Sequence, residues 1–385
     1  MLSSTSRQAW RSAMKFSTIS GTWKQSATLH SGDIPTVIES ENKNKIAKLS
    51  AKLRKEAFQS RKRYDALVAE RSVVIAQLQN VLCSPASRLI PVGSMSNSFA
   101  NSKQSDVDLC FCFIAANSNK FLRDFNDNPN FKVAFMRTAA DLLERSSELD
   151  LASDCQLIVR SRIPLIVVNF ANGISVDIQF PANASFQAVR NTNLIRHYVM
   201  VRKIQEEMYI TVQADERFSQ LYLWAKQLFT VLGAKNSKQG LLSSYHVMLL
   251  VVHFLQCKHI FSEPVLPILT QTHPHLVADE ISISEVIKLM DQPLADSLEG
   301  WHSANKMSVG LLAVKMIEYY ARFKVRNTMI DIGKGKVIRR RQTAYNMKLQ
   351  ILDPYSKTTV CHSPEIADAL EKAILVTYEG FKQGW

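Results

Sequence analysis

Hydrophobic and polar positions change period several times along the chain, and each change marks an element. Over residues 43–82, Ile46, Leu49, Leu53, Leu67, Val74, Leu78 and Leu82 recur near helical spacing among many Lys, Arg and Gln, which predicts one long helix. Its basic outer face could touch RNA, although a charged helix face is more often simply solvated. Residues 89–113, LIPVGSMSNSFANSKQSDVDLCFCF, then read as a strand, a Gly93-Ser94 turn into a helix, a polar loop and a second strand. In that second strand Asp106, Asp108, Cys110 and Cys112 share one face, and Val107, Leu109, Phe111 and Phe113 the other. Residues 131–146 return to a helical period. Residues 157–180 alternate as a β-hairpin joined through Asn172-Gly173, a dipeptide suited to positive φ at both turn positions. On its second strand Asp177 faces away from Ile174, Val176, Ile178 and Phe180. Beyond residue 186 the pattern is largely helical: 186–199, 217–232, 240–257, 311–323, and a last helix opening at Ser363-Pro364-Glu365, with Ser as its cap. Ser243 or Ser244 is the cap expected for the helix within 240–257.

The acidic positions give this pattern a chemistry. At a rise of roughly 3.3 Å per residue, Asp106 and Asp108 stand about 6 to 7 Å apart along the backbone, so their oxygens can converge on one or two divalent cations. Asp177, central in a β-branched and aromatic strand, would be costly there without a cation or a donor. Together the three offer a carboxylate set for two magnesium ions. Gly93 lets backbone amides approach an anion, and Ser94 adds a hydroxyl. A phosphate chain held on one side and metals on the other is the chemistry these residues suggest. The alternatives are a strand emerging from a polar loop for the D-x-D pair, and an exposed hairpin position for Asp177.

Composition narrows the field. The 385 residues suffice for two domains, and 46% hydrophobic with 21% charged residues is ordinary for a soluble globular protein. The longest apolar run, residues 247–255, is broken by His253 and falls short of the roughly 18 residues that cross a bilayer, so no membrane role is expected. A net charge of +13 favours a polyanionic partner. Six cysteines without framework spacing read as reduced, structural thiols of an intracellular protein. Residues 1–40 carry Arg7, Arg11, Lys15 and Lys24 and no acid before Asp33; they suit a flexible basic tail, or alternatively a mitochondrial transit peptide. Residues 333–341, GKGKVIRRR, lack the P-loop form and read as a basic loop or hairpin facing phosphates.

In order and spacing, these motifs resemble the polymerase-β-like nucleotidyltransferases, and within them the cytoplasmic poly(A) polymerases of the germline-development type and the related terminal uridylyltransferases. The resemblance rests on VGSMSNSFANSKQSDVDLC, SVDIQF, VRNTNLIRHY, LYLWAK, GLLSSYHVMLLVVHFLQC followed by EPVLPIL, and LQILDPYS. It implies an α+β fold: a palm of mixed sheet and helices, with a mostly helical central domain across a cleft. The boundaries expected are a tail at 1–40, a helix at 41–82 belonging to the central domain, the palm at 83–200 and the central helical domain at 201–385. It implies Asp106, Asp108 and Asp177 as catalytic metal ligands for Mg2+ or Mn2+, and Gly93 and Ser94 on the triphosphate. Asn191 and Thr192 would meet the ribose, Lys226 and Ser244 the phosphates, and Tyr245 the base, with Asp353 opening the base-recognition loop. The activity implied is template-independent addition of AMP from ATP to RNA 3′ ends, with an RNA-binding protein partner supplying specificity. This chain has Tyr222 where many relatives carry a lysine, which removes one expected phosphate contact. It also has Ser356 and Thr359 where UTP-preferring relatives carry an acid and a histidine, which favours ATP. A uridylyltransferase and a catalytically silent subunit are the alternatives.

Overall fold

The structure, a computed structural model, describes residues 42–383 apart from 103–104, 115–117, 200, 206–207, 213–214, 259, 279–280, 293–300 and 341–347. The expected tail at 1–40 lies outside the described residues.

Helix α1, Lys43–Leu82, is a single element of 40 residues, about 60 Å long at 1.5 Å per residue. Its buried positions, Ile46, Ser50, Leu53, Ser60, Tyr64, Leu67, Arg71, Val74 and Leu78, recur in steps of three, four or, once, seven, and fall on one stripe. That stripe serves two cores. Ile46 and Leu53 pack in the helical half of the molecule, whereas Tyr64, Val74 and Leu78 pack beneath the palm sheet. The helix expected to belong to the central domain is therefore shared between both halves.

The palm sheet is built from β1, Ser87–Val92; β2, Val107–Phe113; β3, Gln156–Ile158; β4, Leu165–Asn169; and β5, Ser175–Gln179. Its order is β1-β2-β5-β4-β3, with β2 and β5 the parallel pair and the other neighbours antiparallel. A four-residue turn of helix, α2, Gly93–Ser96, follows β1 directly. Helices α3, Ser118–Asp127, and α4, Pro129–Arg145, cover one face. Asn128 caps α4 by accepting from the amides of Asn130 and Phe131. Period-two alternation decides what each face meets. Leu109 and Phe111 join the aromatic core that includes Phe125 and Phe180, whereas Cys110 and Cys112 face the helical half beside Val189 and Tyr198. All six cysteines are free.

The hairpin expected over 157–180 is present as β4 and β5, but its turn differs. Only Gly173 has positive φ, +85°. Asn172 instead accepts a hydrogen bond from the Ile174 amide at 3.1 Å. An asparagine side chain that satisfies its own turn relieves the backbone of a second left-handed residue.

The helical half contains α5, Asn183–Val199; α6, Glu216–Val231; α7, Ser244–Gln256; α8, Leu269–Thr272; α9, Ile283–Asp291; α10, Val309–Arg322; and α11, Glu365–Lys382. Between α5 and α6 runs an unexpected hairpin, β6, Val201–Gln205, with β7, Met208–Val212. A second small sheet, also unexpected, has the order β10-β8-β9, from β8, Thr328–Asp331; β9, Lys336–Arg339; and β10, Ile351–Leu352. Helix α7 starts at Ser244 because Ser243 is its cap, in a reciprocal box with His246. At α11 the capping expectation fails: Ser363 donates to the Glu365 carboxylate and makes no cap to the helix backbone. Gly310 lets α1 and α10 meet closely. A Cβ there would stand 2.4 Å from the Ile46 carbonyl oxygen, and its amide donates to Ser50 Oγ at 2.9 Å. No described helix is long and apolar enough to cross a membrane.

Candidate active site

The parallel pairing of β2 and β5 puts Asp108 directly opposite Asp177, and on the other side of β2 the antiparallel register sets Asp108 opposite Val92, the residue before Gly93. Asp106 stands exposed just ahead of β2. Burial pushes the Asp108 carboxyl up to about 7, with the Asp177 and Asp106 charges adding to the shift. Asp177 is raised by burial and by Asp106, against the pull of Lys238. Three carboxylates thus share one field, and no described donor satisfies Asp108. Such a group calls for cations. Asp108 and Asp177 fit a divalent ion in donor type and register. Among the described residues no three His, Cys, Asp or Glu side chains are gathered closely enough to hold a metal ion, so the three expected carboxylates do not by themselves form a complete ion-binding group.

Gly93 makes the turn at this site possible. Its φ is +65°, and a Cβ would lie 2.9 Å from Asp108 Oδ2. Its amide donates to Thr192 Oγ1 at 2.9 Å, and that hydroxyl donates in turn to the Ala188 carbonyl at 2.7 Å. Thr192, expected on the ribose, is buried and ties α5 to the Gly-Ser turn. Ser94 is half-buried beside it. Gly93→Ala is expected to cost about 1–2 kcal/mol in backbone strain alone, and the Cβ displaces the Asp108 carboxylate as well. Melting and primer extension on the purified variant check this; unaltered activity would contradict it.

Asn191 is half-buried on α5, one helical turn from Gln187, which sequence reasoning missed. Gln187 Nε2 donates to Asn191 Oδ1 and to Asp353 Oδ2, both at 2.8 Å. The i, i+4 spacing of two amides on one face was the available signal. Asp353 is only 1% exposed, and its Oδ1 accepts from the amides of Tyr355 at 3.0 Å and Ser356 at 2.7 Å. Its carboxylate therefore organises its own loop. Burial raises its pKa, against these hydrogen bonds and the Arg190 charge. Tyr245, half-buried at the start of α7, has a buried hydroxyl without a partner. Burial, and then the nearby Asp353 carboxylate, push that phenol up. Thr359 is turned inward, its Oγ1 accepting from Ile351 and Cys361 amides at 3.4 and 3.2 Å.

Of the expected phosphate contacts, Lys226 is half-buried on α6 and Ser244 half-buried on the first turn of α7. Tyr222 is fully buried, its ring 4.5 Å from Phe99 and 6.4 Å from Phe218, with its hydroxyl beside the Ser244 side chain. Sequence reasoning missed Lys235. Burial lowers the pKa of both lysines, and Lys235 lowers that of Lys226 further. Neither has an ion-pair partner among the described residues, and the Leu242 amide bonded to the Ala234 carbonyl at 3.1 Å ties the Lys235 segment to the start of α7.

The basic stretch 333–341 is less uniform than its composition suggests. Lys336 and Arg339 are exposed on β9. Lys334 pairs with buried Asp331 at 3.7 Å. Arg340 is half-buried and donates to the Lys348 and Val325 carbonyls, a structural role rather than a phosphate-facing one. Arg341 lies outside the described residues.

The mixed sheet, the Asp108–Asp177 register and the glycine turn make a palm of the polymerase-β-like fold. The family described as "Poly(A) RNA polymerase, mitochondrial-like, central palm domain" matches residues 46–200. Among curated proteins, Poly(A) RNA polymerase gld-2 of Caenorhabditis elegans is 27% identical over 69% of this chain, and Poly(A) RNA polymerase GLD2 of Mus musculus is 25% identical over 85%. The chain spans 21% of the worm protein and 63% of the mouse protein. Among solved structures, a GLD-2/RNP-8 complex matches with TM-score 0.65 at 23% identity, over 88% of this chain and 95% of that one. Cid1 in complex with the UTP analog UMPNPP matches with TM-score 0.60 at 19% identity, over 86% and 93%. In sequence the chain is thus similar to the GLD2-type poly(A) RNA polymerases, and in fold to the solved GLD-2 and Cid1 structures.

Proposed function

We propose that the protein is a template-independent RNA nucleotidyltransferase that adds AMP from ATP to RNA 3′ ends. The observation that carries this reading is the pairing of Asp108 with Asp177 beside the Gly93 turn. Asp106, Asp108 and Asp177 would hold Mg2+ or Mn2+. Such ions, when bound, acidify an attacking hydroxyl and neutralise the leaving phosphates. The RNA 3′ oxygen forms a bond to the α-phosphorus, the bond from that phosphorus to the β-bridging oxygen breaks, and pyrophosphate leaves. The hydroxyl proton goes to an Asp177 carboxylate oxygen, whose raised pKa suits a base. Lys226, Lys235 and Ser244 receive the triphosphate, and Tyr245 receives the adenine. Asn191, held by Gln187, meets the ribose.

Choice of ATP over UTP is supported by Thr359, which stands where a selector histidine would and accepts from the Ile351 and Cys361 amides. The matched GLD-2 structures are complexes with RNP-8 and GLD-3. By that likeness a partner protein brings the RNA to this chain, aided by exposed Lys336 and Arg339. The test is extension of labelled oligo(A) with magnesium and each nucleotide triphosphate in turn. A ladder with ATP alone is expected. A ladder mainly with UTP would replace the base assignment with uridylyl transfer, because the matched folds include both kinds. No ladder with any nucleotide, together with no rise in Tm on adding magnesium and ATP, would make the chain a silent subunit.

A further inference from the structure

Arg71 is 1% exposed and occupies a core position of the α1 stripe, where a charge needs a reason. Its guanidinium reaches the loop that separates the glycine turn from the first aspartate. One NH group donates to Met95 Sδ at 3.2 Å, and the other terminal nitrogen to the carbonyls of Ser102 at 3.1 Å and Ser105 at 2.7 Å. Ser105 is the residue immediately before Asp106; burial lowers the pKa of Arg71, opposed by the Glu70 and then the Asp106 carboxylates. Two helical turns earlier on the same face, Tyr64 donates its hydroxyl to the Met95 carbonyl at 2.8 Å. Met95 itself belongs to the turn that begins at Gly93. The loop is thus fastened from behind at both ends, at Met95 and at Ser102 and Ser105.

We propose that Arg71 and Tyr64 are positioning residues which hold the loop between Gly93 and Asp106 so that Asp106 meets the metal site opposite Asp108 and Asp177. The inference rests on the nucleotidyltransferase reading. A planar guanidinium spanning several acceptors fixes a backbone as no ammonium can. Asp106 is the exposed member of the carboxylate set and lies outside the β2 ladder, so its aim depends on these bonds more than that of Asp108 or Asp177 does. Groups that orient a ligand typically contribute about 10- to 100-fold to metal affinity or activity.

The test uses the full chain and four proteins: wild type, Arg71→Lys, Arg71→Met and Tyr64→Phe. The Mn2+ concentration giving half of the thermal shift in the presence of a non-hydrolysable ATP analogue is read first, then kcat and KM for oligo(A) extension. Arg71→Met is expected to need about 10-fold more Mn2+ and to lose kcat with little change in KM for RNA, with Arg71→Lys recovering only part. Tyr64→Phe should move the same midpoint less. Should Arg71→Met not fold, the Lys and Phe variants decide. Variants with lowered Tm but wild-type Mn2+ midpoints and kcat would overturn the proposal and leave Arg71 a fold residue only. A wild type that responds to neither Mn2+ nor the analogue would instead remove the nucleotidyltransferase reading itself.

Discussion

Asp108→Asn should abolish nucleotide addition while leaving a folded protein. The substitution is nearly isosteric, and no hydrogen bond or ion pair among the described residues depends on the Asp108 charge. What it removes is the central carboxylate, the one facing Asp177 across the sheet and touching the space above Gly93. Metal stabilisation of transferring phosphates contributes several kcal/mol, so the loss should be about 10^3-fold or more in rate. Near-wild-type primer extension by the variant would remove the metal-site assignment. The pH dependence gives an independent check. The ordinary carboxyl titrates at 3.8, and in the fold Asp108 titrates at about 7, raised by burial and then by Asp177 and Asp106. The folded state therefore holds a proton that the unfolded chain has already released. Its stabilising effect is complete below about pH 4 and disappears as pH rises through about 7. Metal-free protein should lose Tm over that window, more steeply than Asp108→Asn does. The groups facing Asp108 and Asp177 are Asp106 and Lys238, and Lys238 opposes the rise at Asp177 alone. Divalent ions compete with the same proton, so their half-saturating concentration should fall from pH 6 to pH 8 in wild type. Tm slopes that coincide for the two proteins would contradict the assignment.

The carboxylate site was legible because strand period is rigid. Once residues 107–113 and 175–179 are strands, alternation alone puts Asp108 on the face of Cys110 and Asp177 opposite the core residues. Helix boundaries were legible for a similar reason, since α1 keeps one stripe over its whole length. What could not be read were side chains whose partner lies far along the sequence. Arg71 looked like one more cation on a basic helix, although a charge within a stripe containing Tyr64, Leu67, Val74 and Leu78 was the visible anomaly. Thr192 and Asp353 were identifiable positions, but their bonds to Gly93 and to the Tyr355 and Ser356 amides depend on tertiary contacts. The basic run 333–341 misled in the opposite direction. Composition treats Arg339 and Arg340 alike, yet alternation along β9 and the chain after it leaves one exposed and turns the other toward carbonyls.

Lys226→Ala should cost roughly 10- to 150-fold in kcat/KM for the nucleotide, the equivalent of about 1.5–3 kcal/mol for a hydrogen bond to a charged group. Lys226 projects from α6 near Lys235 and the first turn of α7. Its like-charged neighbour is unfavourable without an anion between them, so a triphosphate there relieves a repulsion as well as gaining two contacts. The same strain predicts that the nucleotide-free variant loses no Tm, and that the rise in Tm on adding ATP and magnesium shrinks. Because a phosphate contact carries no information about the base, the penalty should be equal for ATP and UTP. A penalty confined to one of them would place Lys226 on the base instead. A lysine at the other α6 position carries its own cost. Tyr222 is packed against Phe99 and Phe218 with no exposed surface, although its hydroxyl lies beside the Ser244 side chain, so Tyr222→Lys loses the ring packing and should lower Tm even where its ammonium reaches toward the triphosphate. Lys235→Ala, by contrast, should lower kcat/KM in the same direction as Lys226→Ala. If it leaves nucleotide use unchanged, the second cation of the triphosphate site lies elsewhere.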